Sequence, residues 1–489
     1  MGRAPPGYAR TMAELHDLTA LELAEAVRAR ETSPTDVVRH ALERAERLGP
    51  QVGAFVTLTP ERALAEAREA QALLAAATDD AALPPLLGVP CPVKDLEAVA
   101  GVPMCAGSRA LAGYVPEHDD GIVTLLARAG TIMLGKTTTP ELGLPCYTEP
   151  DGQDPARTPW DLSRSAGGSS GGAAAAVSAR IVPVAQGSDG GGSLRIPASA
   201  CGLVGLKPSR GRVSPGPYGI DGAGLGVLGF LTRDVQDSAA LLDAAAYPWP
   251  GDTFELPRPT TSFLAASRRP PGRLRVGVLT TPVIAADAPV HPACTGAVAD
   301  VADRLTELGH DVVPAAVPFP AERWEAFAAL WSVMALQAPV PAESEHLLVP
   351  LTRWLRERGR SVTGLEHAQA LAAVQLLTRE TARTWAGLDV IVSPTLAQLP
   401  APLGSLRDDA DPAGDFAAQT RFTPWTSVWN LIGRPAVSLP VAEHRADGVT
   451  LPVGVMLGGR FGAEGTLLGL AGSLQEIYGW HLRRPPLAA

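Results

Sequence analysis

The sequence predicts an α/β fold in one large domain, and three observations support this. Short apolar segments alternate with amphipathic helical ones, for example a strand over residues 274–279, a helix over 292–308 and a strand over 311–313. No linker-like stretch interrupts the 489 residues, although that length would allow two or three domains. No internal repeat is visible. We therefore expect one continuous fold.

The first eighty residues predict a helical cover. The predicted elements are helices from Thr19 to about residue 30, from Ser33 to about residue 48 and over residues 60–76, with a short strand over 55–58. Thr19 and Glu22 form a capping-box pattern, and Pro34 after Ser33 suits the first turn of a helix. We expect no chemistry in this region.

Residues 87–93 predict a strand that ends at Lys94 and Asp95. Pro90 and Pro92 argue against a central, fully hydrogen-bonded position for this strand, because proline lacks the N–H group. A lysine that leaves a buried strand is less often solvated than one in a surface loop. Lys94 is thus a candidate functional residue.

Residues 130–137 match the phosphate-binding pattern G-x-x-x-x-G-K-[ST]. Such a loop needs a strand before its first glycine and a helix at its lysine. Here residues 120–129 predict a helix that Gly130 ends, and the apolar strand 131–134 falls inside the supposed loop. We therefore do not predict nucleotide binding.

The most informative stretch is residues 165–197, which contain two Gly-Ser clusters at 167–172 and 190–193. An Ala-rich helix (173–177) and an apolar strand (181–185) separate them, so they predict two turns at one end of a packed core rather than a flexible linker. Glycines let the backbone N–H groups converge on an anion. With a serine beside such a turn, the serine supplies the nucleophile of acyl transfer and the N–H groups of the turn supply the oxyanion site.

These clusters resemble the amidase signature family. The other motifs that carry the resemblance are GVPCPVKD (88–95), TPWD (158–161), CGLVGLKP (201–208) and NLIGRPA (430–436). The resemblance as a whole covers nearly the entire chain, from about residue 15 to about 480. The stretch 187–213 is most similar to the aryl-acylamidase and 6-aminohexanoate-cyclic-dimer-hydrolase branch.

The resemblance implies a single amidase-signature domain over residues 1–489, with a central mixed twisted sheet covered by helices on both faces. The expected parts are a helical cover (about 15–80), a signature core (about 85–245), a helical insertion (about 320–385) and a closing sheet and helix (about 386–480). Trp and Leu are frequent in the insertion, which we expect to shape the pocket or a dimer surface.

The resemblance also implies the catalytic residues. Ser193 is the expected nucleophile, Ser169 the proton relay and Lys94 the base, which burial would keep neutral. A cis peptide is implied between Gly168 and Ser169. The expected oxyanion donors are the N–H groups of Gly190, Gly191, Gly192 and Ser193.

Further residues are predicted around this set. Asp189 and Arg195 are expected to form a buried pair that fixes the nucleophile turn. The candidate substrate contacts are Leu144, Cys146 and Tyr147 in the loop 140–150, and Gly168. Ser170 and Ser188 are expected to hydrogen-bond within their loops, and Ser393 is a weaker candidate nucleophile because no oxyanion turn surrounds it.

Composition excludes several classes of protein. A net charge of −10 and a pI near 5.5 argue against a nucleic-acid partner. Five cysteines without metal-ligand spacing indicate reduced thiols and a cytoplasmic protein, and no segment suggests a leader or a membrane span. No cofactor or metal motif is found, and the scattered histidines leave a Ser-His-Asp triad open.

The predicted function is an amidase that hydrolyses a carboxamide C–N bond through a seryl acyl-enzyme. Its expected partner is a small-molecule amide, and a homodimer is left open. Two alternatives keep the fold and the triad: the glutaminase (A) subunit of an aminoacyl-tRNA amidotransferase, and an amide-forming or acyl-transferring amidase of a biosynthetic pathway. A catalytically inactive relative is disfavoured because Lys94, Ser169 and Ser193 are all present.

Overall fold

An eight-stranded sheet forms the centre of the computed structural model, which describes residues 15–220, 222–446 and 448–488. The strands of the chain are β1 (Phe55–Leu58), β2 (Val93–Lys94), β3 (Gly135–Thr137), β4 (Arg157–Thr158), β5 (Asp161–Ser165), β6 (Val184–Asp189), β7 (Val204–Lys207), β8 (Val227–Thr232), β9 (Arg275–Val278), β10 (Asp311–Pro314), β11 (Val390–Pro394), β12 (Ala436–Ala446) and β13 (Val449–Gly459). The large sheet has the order β10-β9-β11-β13-β12-β7-β8-β6. Parallel pairs join β9 to β10 and β11, and the other pairs are antiparallel. The predicted mixed sheet is confirmed.

Helices surround this sheet. They are α1 (Ala20–Arg28), α2 (Pro34–Val52), α3 (Pro60–Ala76), α4 (Gly121–Arg128), α5 (Gly171–Ser178), α6 (Arg195–Cys201), α7 (Val235–Ala245), α8 (Phe263–Ser267), α9 (Pro292–Glu307), α10 (Glu325–Gln337), α11 (Pro350–Ser361), α12 (Gly364–Thr384), α13 (Pro412–Phe422), α14 (Thr426–Leu431) and α15 (Glu464–Tyr478). In the described part of the chain, no helix has the length and apolarity needed to span a membrane.

Two apolar cores lie on opposite faces of the large sheet. Val390 and Val392 of β11 pack into one core, whereas Ile391 between them packs into the other. Val455 and Met456 of β13 divide in the same way. Because successive side chains of a strand point to opposite faces, this alternation places packed side chains on both sides of the sheet. The expected two-sided cover is thus present.

Most of the predicted helices begin where their capping residues indicate. Thr19 Oγ1 accepts a hydrogen bond from the Glu22 N–H, and the Glu22 carboxylate accepts one from the Thr19 N–H, which completes the capping box of α1. Ser33 caps α2, which continues four residues beyond the predicted end. The predicted helical content of residues 320–385 is present in α10, α11, α12 and two short 3₁₀ helices.

Four strand predictions differ from the structure. Of residues 87–93, only Val93 is in a strand, because the two prolines leave one isolated bridge before it. The strands expected at 131–134 and 181–185 lie at Gly135–Thr137 and Val184–Asp189. The apolar residues at the expected positions therefore indicated burial and not strand pairing. Residues 423–430 lie in the part expected to close the sheet (about 386–480), but they contain most of α14, a short helix whose residues are all buried.

The glycine-lysine pattern at residues 130–137 is not a phosphate-binding loop. Gly130 follows α4 with a φ of 87°, as expected for a helix end. Lys136 is fully buried on β3 and pairs with Asp95 Oδ1 at 3.0 Å. Its Nζ also donates to the Glu97 carbonyl oxygen at 2.7 Å. The lysine is therefore already engaged by the protein.

Candidate active site

Lys94 stands at the end of β2 with its side chain fully buried. Its Nζ donates to Ser169 Oγ at 2.8 Å and to Ser188 Oγ at 3.0 Å. Its main-chain N–H donates to Gln186 Oε1 at 2.9 Å, which anchors β2 against β6. Burial lowers the pKa of Lys94 from 10.5 to about 7, although the nearby carboxylates of Glu97 and Asp189 act in the opposite direction. A neutral amine is thus available near neutral pH.

Ser169 lies within the first glycine turn, after Gly167 and Gly168. The peptide bond between Gly168 and Ser169 is cis, as the resemblance implied. Thr139 Oγ1 donates to the Ser169 carbonyl oxygen at 3.1 Å. The N–H of the next residue, Ser170, donates to the Ser193 carbonyl oxygen at 3.2 Å and joins the two glycine turns directly. The prediction that both turns lie at one end of the core is confirmed.

Ser193 lies on the second glycine turn, between β6 and α6, and is 7% exposed. It lines a cleft that opens at the surface. Within the described residues, its hydroxyl makes no hydrogen bond, and the two turns are joined by the backbone hydrogen bond from the Ser170 N–H to the Ser193 carbonyl oxygen. Hydroxyl contacts of a proton relay often tighten only when substrate is bound.

The oxyanion turn offers three of the four expected N–H donors. The Gly192 N–H donates to Asp189 Oδ1 at 2.8 Å, so this donor is engaged and does not fit the expected role. The N–H groups of Gly190, Gly191 and Ser193 have no acceptor among the residues described. Gly192 has a φ of 140°, and an added Cβ would lie 2.6 Å from Ile196 Cδ1. Glycine is required at this position by both conformation and space.

A buried ion pair holds the nucleophile turn. Both nitrogens of the Arg195 fork, Nε and Nη2, donate to the Asp189 carboxylate at 2.9 Å, and neither side chain is exposed. Asn430 joins them: its Oδ1 accepts from Arg195 and its Nδ2 donates to the Asp189 carbonyl oxygen. Burial alone would raise the pKa of Asp189, but the Arg195 guanidinium holds it at about 2. The geometry agrees with a role in fixing the loop.

A cleft of about 440 Å³ opens over Ser193. It is lined by Leu144, Pro145, Cys146, Gly191, Ser193, Ile196, Ile284, Trp324, Phe327, Trp331, Phe416, Gln419, Thr420, Thr423 and Ser427. None of these side chains is ionised at neutral pH. In the described ranges, no three His, Cys, Asp or Glu side chains are grouped to hold a metal ion.

Two of the four expected substrate contacts lie in this cleft and two do not. Leu144 and Cys146 line it. Tyr147 is turned away, since its hydroxyl donates to Asp415 Oδ2 at 2.6 Å behind the cleft wall. Gly168 is covered by backbone, because an added Cβ would lie 2.8 Å from the Tyr147 carbonyl carbon. Burial raises the pKa of the Cys146 thiol, which disfavours the reactive thiolate.

A stack of aromatic rings from the helical insertion forms one wall of the cleft. Trp324, Phe327 and Trp331 stack in sequence, with ring centroids 5.1 Å apart and planes inclined by 18° at each step. The stack reaches the oxyanion turn: a Cβ added at Gly190 would lie 3.0 Å from the Trp331 ring, and one at Gly191 would lie 3.3 Å from Phe327. The insertion therefore shapes the pocket. The spacing of these three residues, i, i+3 and i+7, indicates that they share one helix face. It does not indicate which part of the protein that face packs against.

Sequence reasoning missed the contact between Ser188 and Lys94. We expect Ser188→Ala to lower kcat for an amide about tenfold with little change in KM, because Nζ loses one of its two hydroxyl partners. Steady-state kinetics would check this, with Ser163→Ala on β5 as the control. Equal rates for Ser188→Ala and the wild type would show that this contact does not position the amine.

Comparisons by sequence and by structure both find a 6-aminohexanoate-cyclic-dimer hydrolase. A model of the family described as Amidase matches residues 36–468. A 6-aminohexanoate-cyclic-dimer hydrolase of Paenarthrobacter ureafaciens is 35% identical over 489 residues, covering 95% of each chain. The structure of a 6-aminohexanoate cyclic dimer hydrolase superposes with a TM-score of 0.88 at 32% identity, covering 97% of this chain and 99% of that one. A bacterial aryl acylamidase gives 0.81 at 26% identity, covering 96% and 99%.

Proposed function

The chain belongs to the amidase family, and from this premise we propose that it hydrolyses the C–N bond of uncharged carboxamides with Ser193, Ser169 and Lys94 as its catalytic residues. The observation that carries the proposal is the hydrogen bond of 2.8 Å between Lys94 Nζ and Ser169 Oγ. Burial lowers the pKa of this lysine to about 7, so much of it is neutral near neutral pH. This arrangement supplies a base without histidine.

In the first step, Ser193 Oγ attacks the substrate carbonyl carbon. Its proton passes to Ser169, whose own proton passes to the neutral amine of Lys94. The carbonyl oxygen becomes negatively charged and accepts hydrogen bonds from the N–H groups of Gly190, Gly191 and Ser193. Each such donor is typically worth about 3–4 kcal/mol at the transition state.

Collapse of the tetrahedral intermediate then breaks the C–N bond. The ammonium of Lys94 returns its proton through Ser169 to the leaving nitrogen, which departs as a neutral amine. Water attacks the acyl-enzyme by the reverse relay and releases the acid. An amine in place of water would form a new amide at the same intermediate, so the acyl-transfer alternative shares every residue of this mechanism.

Trapping the nucleophile tests the proposal. A fluorophosphonate forms a stable bond with an activated serine, and digestion followed by mass spectrometry locates the modified residue. We expect the adduct on Ser193. An adduct on Ser169 or on Cys146 would contradict the assigned roles.

The cleft favours a neutral substrate with a flat apolar group. Its wall is aromatic, and no charged side chain among the described residues lines it. Glutamine carries an α-ammonium and an α-carboxylate that such a cleft would leave unpaired, which disfavours the glutaminase alternative. We infer instead an aryl or cyclic amide whose ring lies against Trp324 and Phe327. A cytoplasmic location, with all five cysteines free, remains a prediction, as does a homodimer.

Trp324→Leu should reduce the preference for aromatic substrates. We expect KM to rise about fivefold for acetanilide or benzamide, and to change little for their cyclohexyl counterparts, because leucine loses the stacking contribution but keeps apolar bulk. Steady-state kinetics on the four substrates would check this. Trp354→Leu is the matched control: Trp354 packs on Phe416 but does not line the cleft. Equal effects in both variants would contradict the inferred stacking.

A further inference from the structure

A second cavity lies at the opposite ends of the two helices that follow the glycine turns. The space between its walls is about 260 Å³, open solvent included, and it is lined by Trp160, Ser178, Arg180, Cys201, Gly202, Leu203, Arg233, Trp480, His481, Arg483 and Pro485. Ser178 and Cys201 are the last residues of α5 and α6. The mechanism above uses none of these residues.

Three residues of this cavity have a buried nitrogen without a hydrogen-bond partner. They are Arg180 at Nε, Trp480 at Nε1 and His481 at Nδ1. The first two are donors only, and the third is a donor in one tautomer and in the imidazolium. The Arg180 side chain is only 4% exposed. A buried donor left unpaired is destabilising, so three around one cavity indicate a site for an acceptor.

The charge of the cavity has the same sign throughout. Three arginines line it and no carboxylate does. Arg180 pairs with Asp17 at 3.0 Å, whereas Arg233 and Arg483 donate only to main-chain carbonyl oxygens within the described ranges. Burial, together with the neighbouring charge of Arg233, lowers the pKa of Arg180 to about 10. Buried charges are normally paired. Here Asp17, Asp234 and Asp237 act on the arginines from outside the lining, so the cavity wall itself, and not its surroundings, lacks negative charge.

We propose that this cavity binds a small inorganic anion, held by Arg180 Nε–H, Trp480 Nε1–H and the His481 ring nitrogen. The anion would join four parts of the chain: the end of α5, the end of α6, the segment that leads into α7, and the 3₁₀ helix Trp480–Leu482. Because the first two of these helices begin at the catalytic turns, the site would stabilise the scaffold that holds Ser169 and Ser193.

Two tryptophans that line the same cavity provide a matched pair of variants. Trp480→Phe removes one of the unpaired donors and keeps most of the ring packing. Trp160→Phe removes a donor that is already bound to the Cys201 carbonyl oxygen at 2.9 Å. The thermal midpoint of each protein is measured as chloride or phosphate replaces gluconate at constant ionic strength. His481→Leu is a further variant in case Trp480→Phe does not fold.

We expect chloride or phosphate to raise the midpoint of the wild type saturably, as for any ligand that binds only the folded state. The apparent anion dissociation constant should rise about tenfold in Trp480→Phe or His481→Leu and stay unchanged in Trp160→Phe. The anion is identified by which salt raises the midpoint: chloride, phosphate or both. Equal midpoints in all three salts would overturn the proposal, as would saturable binding that has the same constant in every variant.

Discussion

Ser193→Ala is expected to reduce amide turnover by about 10⁴-fold or more while the protein stays folded. Alanine removes only the attacking oxygen. The turn itself is held by the Asp189 carboxylate, which accepts from the Gly192 and Leu194 N–H groups and from Arg195. Substrate should still bind, because the aromatic wall is untouched. Turnover assays and a thermal melt of the purified variant would check both parts.

Ser393→Ala is the matched control for this variant. Ser393 is another buried serine, on β11, and its hydroxyl donates to the Pro394 carbonyl oxygen at 3.1 Å, away from the glycine turns. We expect its turnover to match that of the wild type. A near-normal rate in Ser193→Ala would remove Ser193 from the role of nucleophile.

Lys94→Met should lower the rate of amide hydrolysis by about 10³-fold or more, because both the base and the acid for the leaving nitrogen are lost. Methionine fits a buried site and removes the charge that burial disfavours. In the wild type, the pKa of about 7 means that the amine is neutral above pH 7 and charged below it. The rate should therefore rise with pH through about 7 and then level off.

Two other buried groups titrate near the same pH. Variants of both are therefore needed before the rise in rate is assigned to Lys94. Burial lowers the pKa of Lys207 to about 7 and raises that of Glu97 to about 7. Lys207 Nζ donates to the Pro208 carbonyl oxygen, and within the described part of the chain it makes no hydrogen bond with the serines of the site. Lys207→Met should keep the rise in rate near pH 7, and Glu97→Gln should shift it without removing it. If Lys207→Met lost the rise in rate, the group that titrates near pH 7 would be Lys207 and not Lys94.

The sequence could predict the parts of the site that depend on local backbone chemistry. The two glycine turns, the helix between them and the buried pair of Asp189 and Arg195 follow from residue types at short spacing, and the structure has them together. The engaged N–H of Gly192 could not be predicted, because it depends on where the Asp189 carboxylate turns.

The cleft depends on contacts between distant segments, which the sequence pattern does not encode. Tyr147 and Cys146 are neighbours in one loop, yet one hydroxyl contact with Asp415 turns Tyr147 away from the cleft. The aromatic stack comes from a helix more than 130 residues beyond Ser193, and only packing places it against the oxyanion turn. Likewise, residues 423–430 lie in the part expected to close the sheet, but most of them form α14, whose apolar side chains are buried and whose Thr426 carbonyl oxygen accepts from Arg195.

The central claim is that the neutral amine of Lys94 activates Ser193 through Ser169. The rate at which a fluorophosphonate inactivates the enzyme, measured against pH, tests it most directly, because this reaction isolates the activation of the nucleophile from the departure of the amine. The account predicts a rate that rises through about pH 7 to a plateau in the wild type, and a slow rate without that rise in Lys94→Met. The same rise in both proteins would contradict the account.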